Sequence, residues 1–225
     1  MRTATHALRS ARIASLHTSP TIYLRGSRNI STLPGNPHIY VVDHPSIPNR
    51  SLLTLLSTEP PTASLAIGTT SHLPPTPDSF TPNPQFLSIL QSVLHAYAAH
   101  DPSIHQQAAV YSSTGGMNLG TSASGGSHGA GAGSIQGGMG GGNRGGWVHL
   151  SDERNPPDWG RIAWPEDIFG SVEVDGRGVV VEGSFQDSGT YRMVTREGIL
   201  GLSPFLRGKV VERLEELEGE MREGN

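Results

Sequence analysis

The apolar positions of this chain fall into two stretches separated by a run that holds almost none. In the first stretch, His38-Ile39-Tyr40-Val41-Val42 is dense in β-branched and aromatic residues and is stopped by Asp43-His44-Pro45, which predicts a strand. Ser64-Leu65-Ala66-Ile67-Gly68, entered after Pro60-Pro61, predicts a second short strand. Between them lies SLLTLLS, residues 51–57, which is too short for periodicity to separate strand from helix. Residues 71–84 hold five prolines and read as extended chain. Helical spacing then takes over. Phe86, Leu90, Val93 or Leu94, and Tyr97 recur at the period of a helix, with Asn83 as N-cap and Pro84 in the first helical position. Asp101-Pro102 ends this helix, and Ser103 is placed to cap a further one running into Ala108-Ala109-Val110-Tyr111.

The second stretch is denser. Trp147–Leu150 predicts a strand. Phe169–Val174 alternates into Asp175-Gly176 and is followed by Gly178–Glu182, the pattern of a β-hairpin with the tight turn that Asp-Gly favours. Tyr191–Val194 predicts another strand and Ile199–Leu202 one more. Ser203-Pro204 then opens a helix with a good N-cap and proline in first position. Val210, Leu214, Leu217 and Met221 form its apolar stripe; Glu212, Arg213, Glu215, Glu216 and Glu218 are expected on its wet face.

Between the two lie residues 115–146, which hold 15 of the 29 glycines. Glycine loses the most entropy on ordering and brings nothing to bury, so this segment is expected to be a disordered linker. It does not fit a nucleotide loop. Gly142-Asn143-Arg144-Gly145 lacks the Lys-Ser/Thr of a P-loop, and Gly129, Gly131 and Gly133 do not make GxGxxG. The expected fold is therefore α+β: a mostly antiparallel sheet with two or three helices on one face, interrupted by the Gly-rich linker. Residues 31–114 would form the N-terminal half of the domain and 147–225 the C-terminal half. About 150 orderable residues suit one domain; two subdomains of roughly 80 residues are the alternative.

Composition adds an address. The first thirty residues contain Arg2, Arg9, Arg12, Arg25 and Arg28 among Ser, Thr and Ala, and the first carboxylate is Asp43. An Arg-rich, acid-poor start predicts a mitochondrial transit peptide over 1–30, with Arg28-Asn29-Ile30-Ser31 as the processing site. Removing five arginines moves the net charge from −4 to −9, since 11 basic residues then face 20 acids. An acidic mature protein is not attracted to phosphate backbones, so nucleic acid is not an expected partner. No apolar run is long enough for a membrane span, and a soluble matrix protein is expected. Cysteine is absent, which removes disulfides, thiolate metal sites and thiol nucleophiles.

Candidate chemistry concentrates in one loop. Trp147, Trp159 and Trp164 bracket residues 151–167, which also carry Asp152, Glu153, Asp158, Glu166, Asp167, Arg154 and Arg161. Pro156-Pro157 and Trp164-Pro165 stiffen it. Trp and Arg are enriched at interface hot spots, so Arg154, Asp158, Trp159, Arg161 and Trp164 are the candidate partner-binding residues. Core packing by the tryptophans, with the arginines pairing nearby acids, is the competing structural reading. His149 beside Asp152 is the better candidate general base, since Asp43-His44 points its side chains to opposite faces of an extended chain. His95, His100 and His105 are spaced five apart and cannot share a helix face, so no metal site is expected. Neither GxSxG nor HExxH occurs. No cofactor is implied.

Two segments, WVHLSDERNPPDWGRIAWPEDIFGSVEVD at 147–175 and TYRMVTREGILGLSPFL at 190–206, resemble a group of fungal mitochondrial proteins. The resemblance implies a location and carries no activity. The function expected is thus that of an accessory or assembly protein binding a protein partner in a mitochondrial complex. The alternative is a small-molecule enzyme of unfamiliar class using carboxylates and His149 on the 151–167 loop.

Overall fold

The computed structural model describes residues 30–112, 145–158 and 161–224. The expected transit peptide and Gly-rich linker therefore lie outside the described residues, apart from Ile30 and Gly145-Gly146. The class is α+β as expected, with three helices among the described residues, but the strands form three antiparallel sheets rather than one.

The first sheet is a five-stranded meander of β1 (Ser31–Leu33), β2 (Asn36–Asp43), β3 (Ser51–Thr54), β4 (Gly68–Thr70) and β5 (Phe80–Pro82), each strand beside its neighbour in sequence. The ambiguous SLLTLLS segment is thus a strand, paired with β2 at Val41–Leu53 and with β4 at Leu53–Gly68. The second strand expected at 64–68 is displaced. Ala63–Leu65 forms a 3-10 turn, and the carbonyls of Ser64 and Ala66 are taken by the Asn83 amide at 2.8 Å each, so ladder pairing begins only where Ile67 donates to Leu53.

Asn83 also caps α1 (Pro84–Tyr97), accepting from Gln85 at 3.0 Å. Phe86, Leu90, Val93 and Leu94 form its buried face, whereas Tyr97, expected on the same stripe, is exposed. Asp101, not Ser103, caps α2 (Pro102–Ser112): its Oδ1 accepts from the Ser103 backbone at 2.8 Å and from the Ser103 hydroxyl, with Pro102 in first position.

The second sheet comprises β6 (Gly146–Ser151), β7 (Ile168–Val174) and β8 (Gln186–Asp187). Gly146, expected in the linker, is paired with Val174, and a Cβ on Gly145 would lie 2.4 Å from the Val174 carbonyl oxygen. The expected hairpin after β7 is longer than an Asp-Gly two-residue turn. Asp175 Oδ1 accepts from Arg177 and Val179, the left-handed residue is Gly178 rather than Gly176, and only Val180 bridges back to Val174. The strand expected at 191–194 moves to β9 (Val194–Thr195), which pairs with β10 (Gly198–Ile199). Tyr191 is withdrawn from it by a hydrogen bond to Asp152.

The chain closes with α3 (Pro204–Glu223), capped by Ser203, whose Oγ accepts from Leu206 at 3.1 Å. Val210 and Leu214 are buried as expected, but Glu218, assigned to the wet face, is buried too. Two threonine hydroxyls reach it: Thr58 and Thr62 donate to its Oε1 at 2.8 and 2.9 Å, and Arg222 pairs with Oε2. The two threonines come from the 58–62 connection, distant in sequence, so the helical pattern could not reveal them. A single core cluster runs from Leu33 and Leu53 through Phe86 and Ile104 to Val172, Leu206 and Leu214, joining both halves of the chain.

Candidate functional site

The 151–167 loop leaves β6 and re-enters the sheet at β7, so its ends are fixed by strand pairing while its middle must find its own partners. It finds them in charge. Asp152 is fully buried; its Oδ1 accepts from the backbone of Arg154 at 2.9 Å and of Gly201 at 2.8 Å, and its Oδ2 accepts from the Tyr191 hydroxyl at 2.8 Å. The bond to the backbone two residues on is an Asx turn, the reason an aspartate suits the first loop position. Burial pushes the Asp152 carboxyl up to about 6, against the pull of Arg154 and of the hydrogen bonds. Burial, and next the Asp152 charge, push the Tyr191 hydroxyl well above its ordinary range.

Arg154 completes the cluster from within. Its side chain is 3% exposed and lies 2.7 Å from Asp167 Oδ1, donates to the carbonyls of Met193 and Glu166 at 3.0 and 2.9 Å, and sits over the Tyr191 ring. The Pro165 carbonyl accepts from Thr190, that of Asp167 from Asp152, and that of Trp164 from Asp167. Every carbonyl from Trp164 to Asp167 is thereby engaged, and the loop is pinned along its inner edge. Gly201 closes the arrangement, since a Cβ there would lie 2.7 Å from the Arg154 nitrogen.

The outer side of the loop is different. Trp164 is 69% exposed and Ile162 43%. Arg161 and Asp158 are exposed, linked by a backbone hydrogen bond from Arg161 to the Asp158 carbonyl at 2.9 Å. Among the described residues the Arg161 guanidinium has no hydrogen-bond or ion-pair partner. The five sequence-selected residues thus divide: Arg154 faces inward, Asp158, Arg161 and Trp164 face outward, and Trp159 lies outside the described residues.

A slot of about 290 Å³ opens beneath the outer loop, lined by Leu150, Leu206, Pro156, Pro157, Ile162 and Ala163 together with polar residues that include His149, Asp152, Glu153 and Arg161. Two N-caps converge behind it, because Asp101 Oδ2 accepts from the Ser203 hydroxyl and so ties the starts of α2 and α3 together. Glu153 stands at its rim; burial, and next Asp101, push its carboxyl above the ordinary range, while Arg207 opposes them. A larger cleft of about 420 Å³ lies across Glu153, between the β1–β2 turn and residues 197–202.

The candidate acid–base residues His149 and Asp152 both line the slot, but no hydrogen bond joins them. His149 Nδ1 is 2.8 Å from Ser171 Oγ, its cross-strand neighbour, and Asp152 is committed to Arg154, Gly201 and Tyr191. Half-burial lowers the His149 pKa. His44 takes the backbone N–H groups of Ser46 and Ile47, His95 pairs with Asp187 at 3.0 Å and His100 approaches Glu182 at 3.7 Å. Among the described residues no three metal-ligating side chains come together, and no helix is long and apolar enough to cross a membrane.

Tyr191, Gly201, Asp101 and Ser203 hold the loop and its slot; the sequence marked Asp101 as a helix end and Ser203 as an N-cap, but tied none of the four to the loop. Tyr191 sat inside an alternating segment, and Gly201 was one glycine among many. Comparison with family models, curated proteins and solved structures finds no match.

Proposed function

We propose that this protein is a non-enzymatic accessory or assembly factor of mitochondria, acting by docking the outer side of the 151–167 loop onto a protein partner. The observation that supports this most is the division of the loop: carbonyls engaged all along 164–167, with Trp164 and Ile162 turned outward. An exposed tryptophan on a pinned backbone loses little entropy on binding, which is how hot spots are built. Asp158, Trp159, Arg161 and Trp164 are the contact residues in this reading. Arg154 positions them from below.

Native separation of mitochondrial extracts tests the reading, with wild type compared to Trp164→Ala. Co-migration of the wild type with a large assembly, and its loss in the variant, are expected. Migration of the wild type at monomer mass would overturn the reading. The address rests on the Arg-rich first thirty residues. Deleting residues 1–30 should leave a folded protein in the cytosol; import of that truncated form would sink the mitochondrial assignment.

A further inference from the structure

The slot beneath the loop adds a chemical preference to that interface. Its volume, about 290 Å³, lies at the bottom of the range of small-molecule pockets, roughly 300 to 1,000 Å³, and suits one bulky side chain. Apolar groups supply most of its wall surface, from Leu150 and Leu206, 2% and 1% exposed, and from Pro156, Pro157, Ile162 and Ala163, with His149, Asp152 and Glu153 among the polar residues that complete the lining. The wall carrying Ile162 and Ala163 runs straight into the pinned carbonyls of 164–167, so the slot does not have to be opened by the ligand.

The charges at its rim are unequal. At Glu153 burial and the Asp101 carboxylate outweigh the pull of Arg207, so that side of the rim is already acidic. Arg161, also lining the slot, has no counter-charge among the described residues. Beside Arg161 itself, away from the Glu153 side, a partner cation would be repelled whereas a carboxylate would complete the unpaired guanidinium. We infer that the slot receives one bulky apolar side chain of a partner polypeptide, with an adjacent acidic residue of that partner pairing with Arg161. This rests on the interface reading above and specifies the chemistry of the partner segment.

The test uses the full chain and two defined probes, N-acetyl-Phe-Asp-amide and N-acetyl-Phe-Asn-amide, titrated by amide NMR. Both probes should shift the resonances of Leu150, Ile162 and Ala163, and the acidic probe should bind roughly 2- to 5-fold more tightly, the worth of one exposed ion pair. Arg161→Ala should abolish that preference while keeping the apolar binding. Ile162→Glu, at an exposed position, should weaken both probes and the acidic one more. Absence of binding, or equal binding of the two probes to the wild type, would overturn the inference. If the probes fail while Trp164→Ala still abolishes co-migration with the assembly, the slot inference falls and the interface reading stands. If co-migration is indifferent to Trp164→Ala, the interface reading itself falls.

Discussion

Behind the five-stranded meander the interior is filled by Leu53, Ile67, Phe86 and Leu90, whereas behind the 151–167 loop it is filled by two aspartates, an arginine and a tyrosine. The first region spreads its stabilisation over many interchangeable apolar contacts. The second concentrates it in a few directional bonds, where losing one group leaves others buried and unsatisfied. The two regions nevertheless share one device. Gly68 in the meander lies beneath the ring of Phe80 in β5 and Gly170 in β7 beneath that of Phe185, just before β8, where a Cβ would come within 2.6 Å of Phe80 and 2.5 Å of Phe185. Close approach of ring to backbone seals a sheet face in both cases, so what separates the regions is the chemistry of the filling and not the way strands are covered.

The contrast is sharpest at Arg154. Truncation to Ala removes the cation from Asp167 and Asp152 and takes one of two donors from each of the Met193 and Glu166 carbonyls, so a loss of about 3 to 5 kcal/mol in urea unfolding is expected. A loss under about 1 kcal/mol would show that the cluster is solvated like a surface pair and would erase the comparison.

Next in size is a pH dependence that the apolar region has no means to produce. The Asp152 carboxyl, raised to about 6 by burial, keeps its proton in the folded state where the unfolded chain has released it. Its contribution is therefore fully present below about pH 4 and is lost as pH rises through 6, a change of about 3 kcal/mol at 1.36 kcal/mol per pH unit. Asp152→Asn should remove this slope, so that the stability of the variant relative to wild type climbs between pH 4 and 6 and then levels. A parallel pair of pH profiles would refute the buried-carboxylate account.

Smaller effects are expected where the two regions are alike. Gly68→Ala and Gly170→Ala should each cost about 1 to 3 kcal/mol, by forcing a ring and a strand carbonyl outward, and by similar amounts in both sheets. A large difference between them would mean that one sheet can yield where the other cannot. Smallest of all is Trp164→Ala. With 69% of the residue exposed, its thermal stability should stay within about 0.5 kcal/mol of wild type, and a larger loss would assign the ring to packing.

The regular elements were legible where local chemistry and spacing agreed. Asn83-Pro84 and Ser203-Pro204 marked both long helices by their caps, and the stripes from Phe86 to Leu94 and from Val210 to Leu214 are the faces that became buried. Strands were legible wherever β-branched runs met a turn, as at Ile39–Val42 and Phe169–Val174. The loop was recognisable by composition as the chemically dense part of the chain, but its two arginines looked equivalent. Their opposite fates depend on residues 12 to 39 positions away, since Asp167, Glu166 and Met193 converge on Arg154 while Arg161 is left at the rim.

What the sequence by itself determined is the class of the fold, the ends of its helices and the location of its dense loop, because caps, turns and periodicity act over a few residues. Only the tertiary structure decided which charges are interior. Burying an ion is costly until its partners are in place, and those partners, Gly201 and Tyr191 for Asp152, Thr58 and Thr62 for Glu218, are brought together by the folded chain and not by their spacing along it.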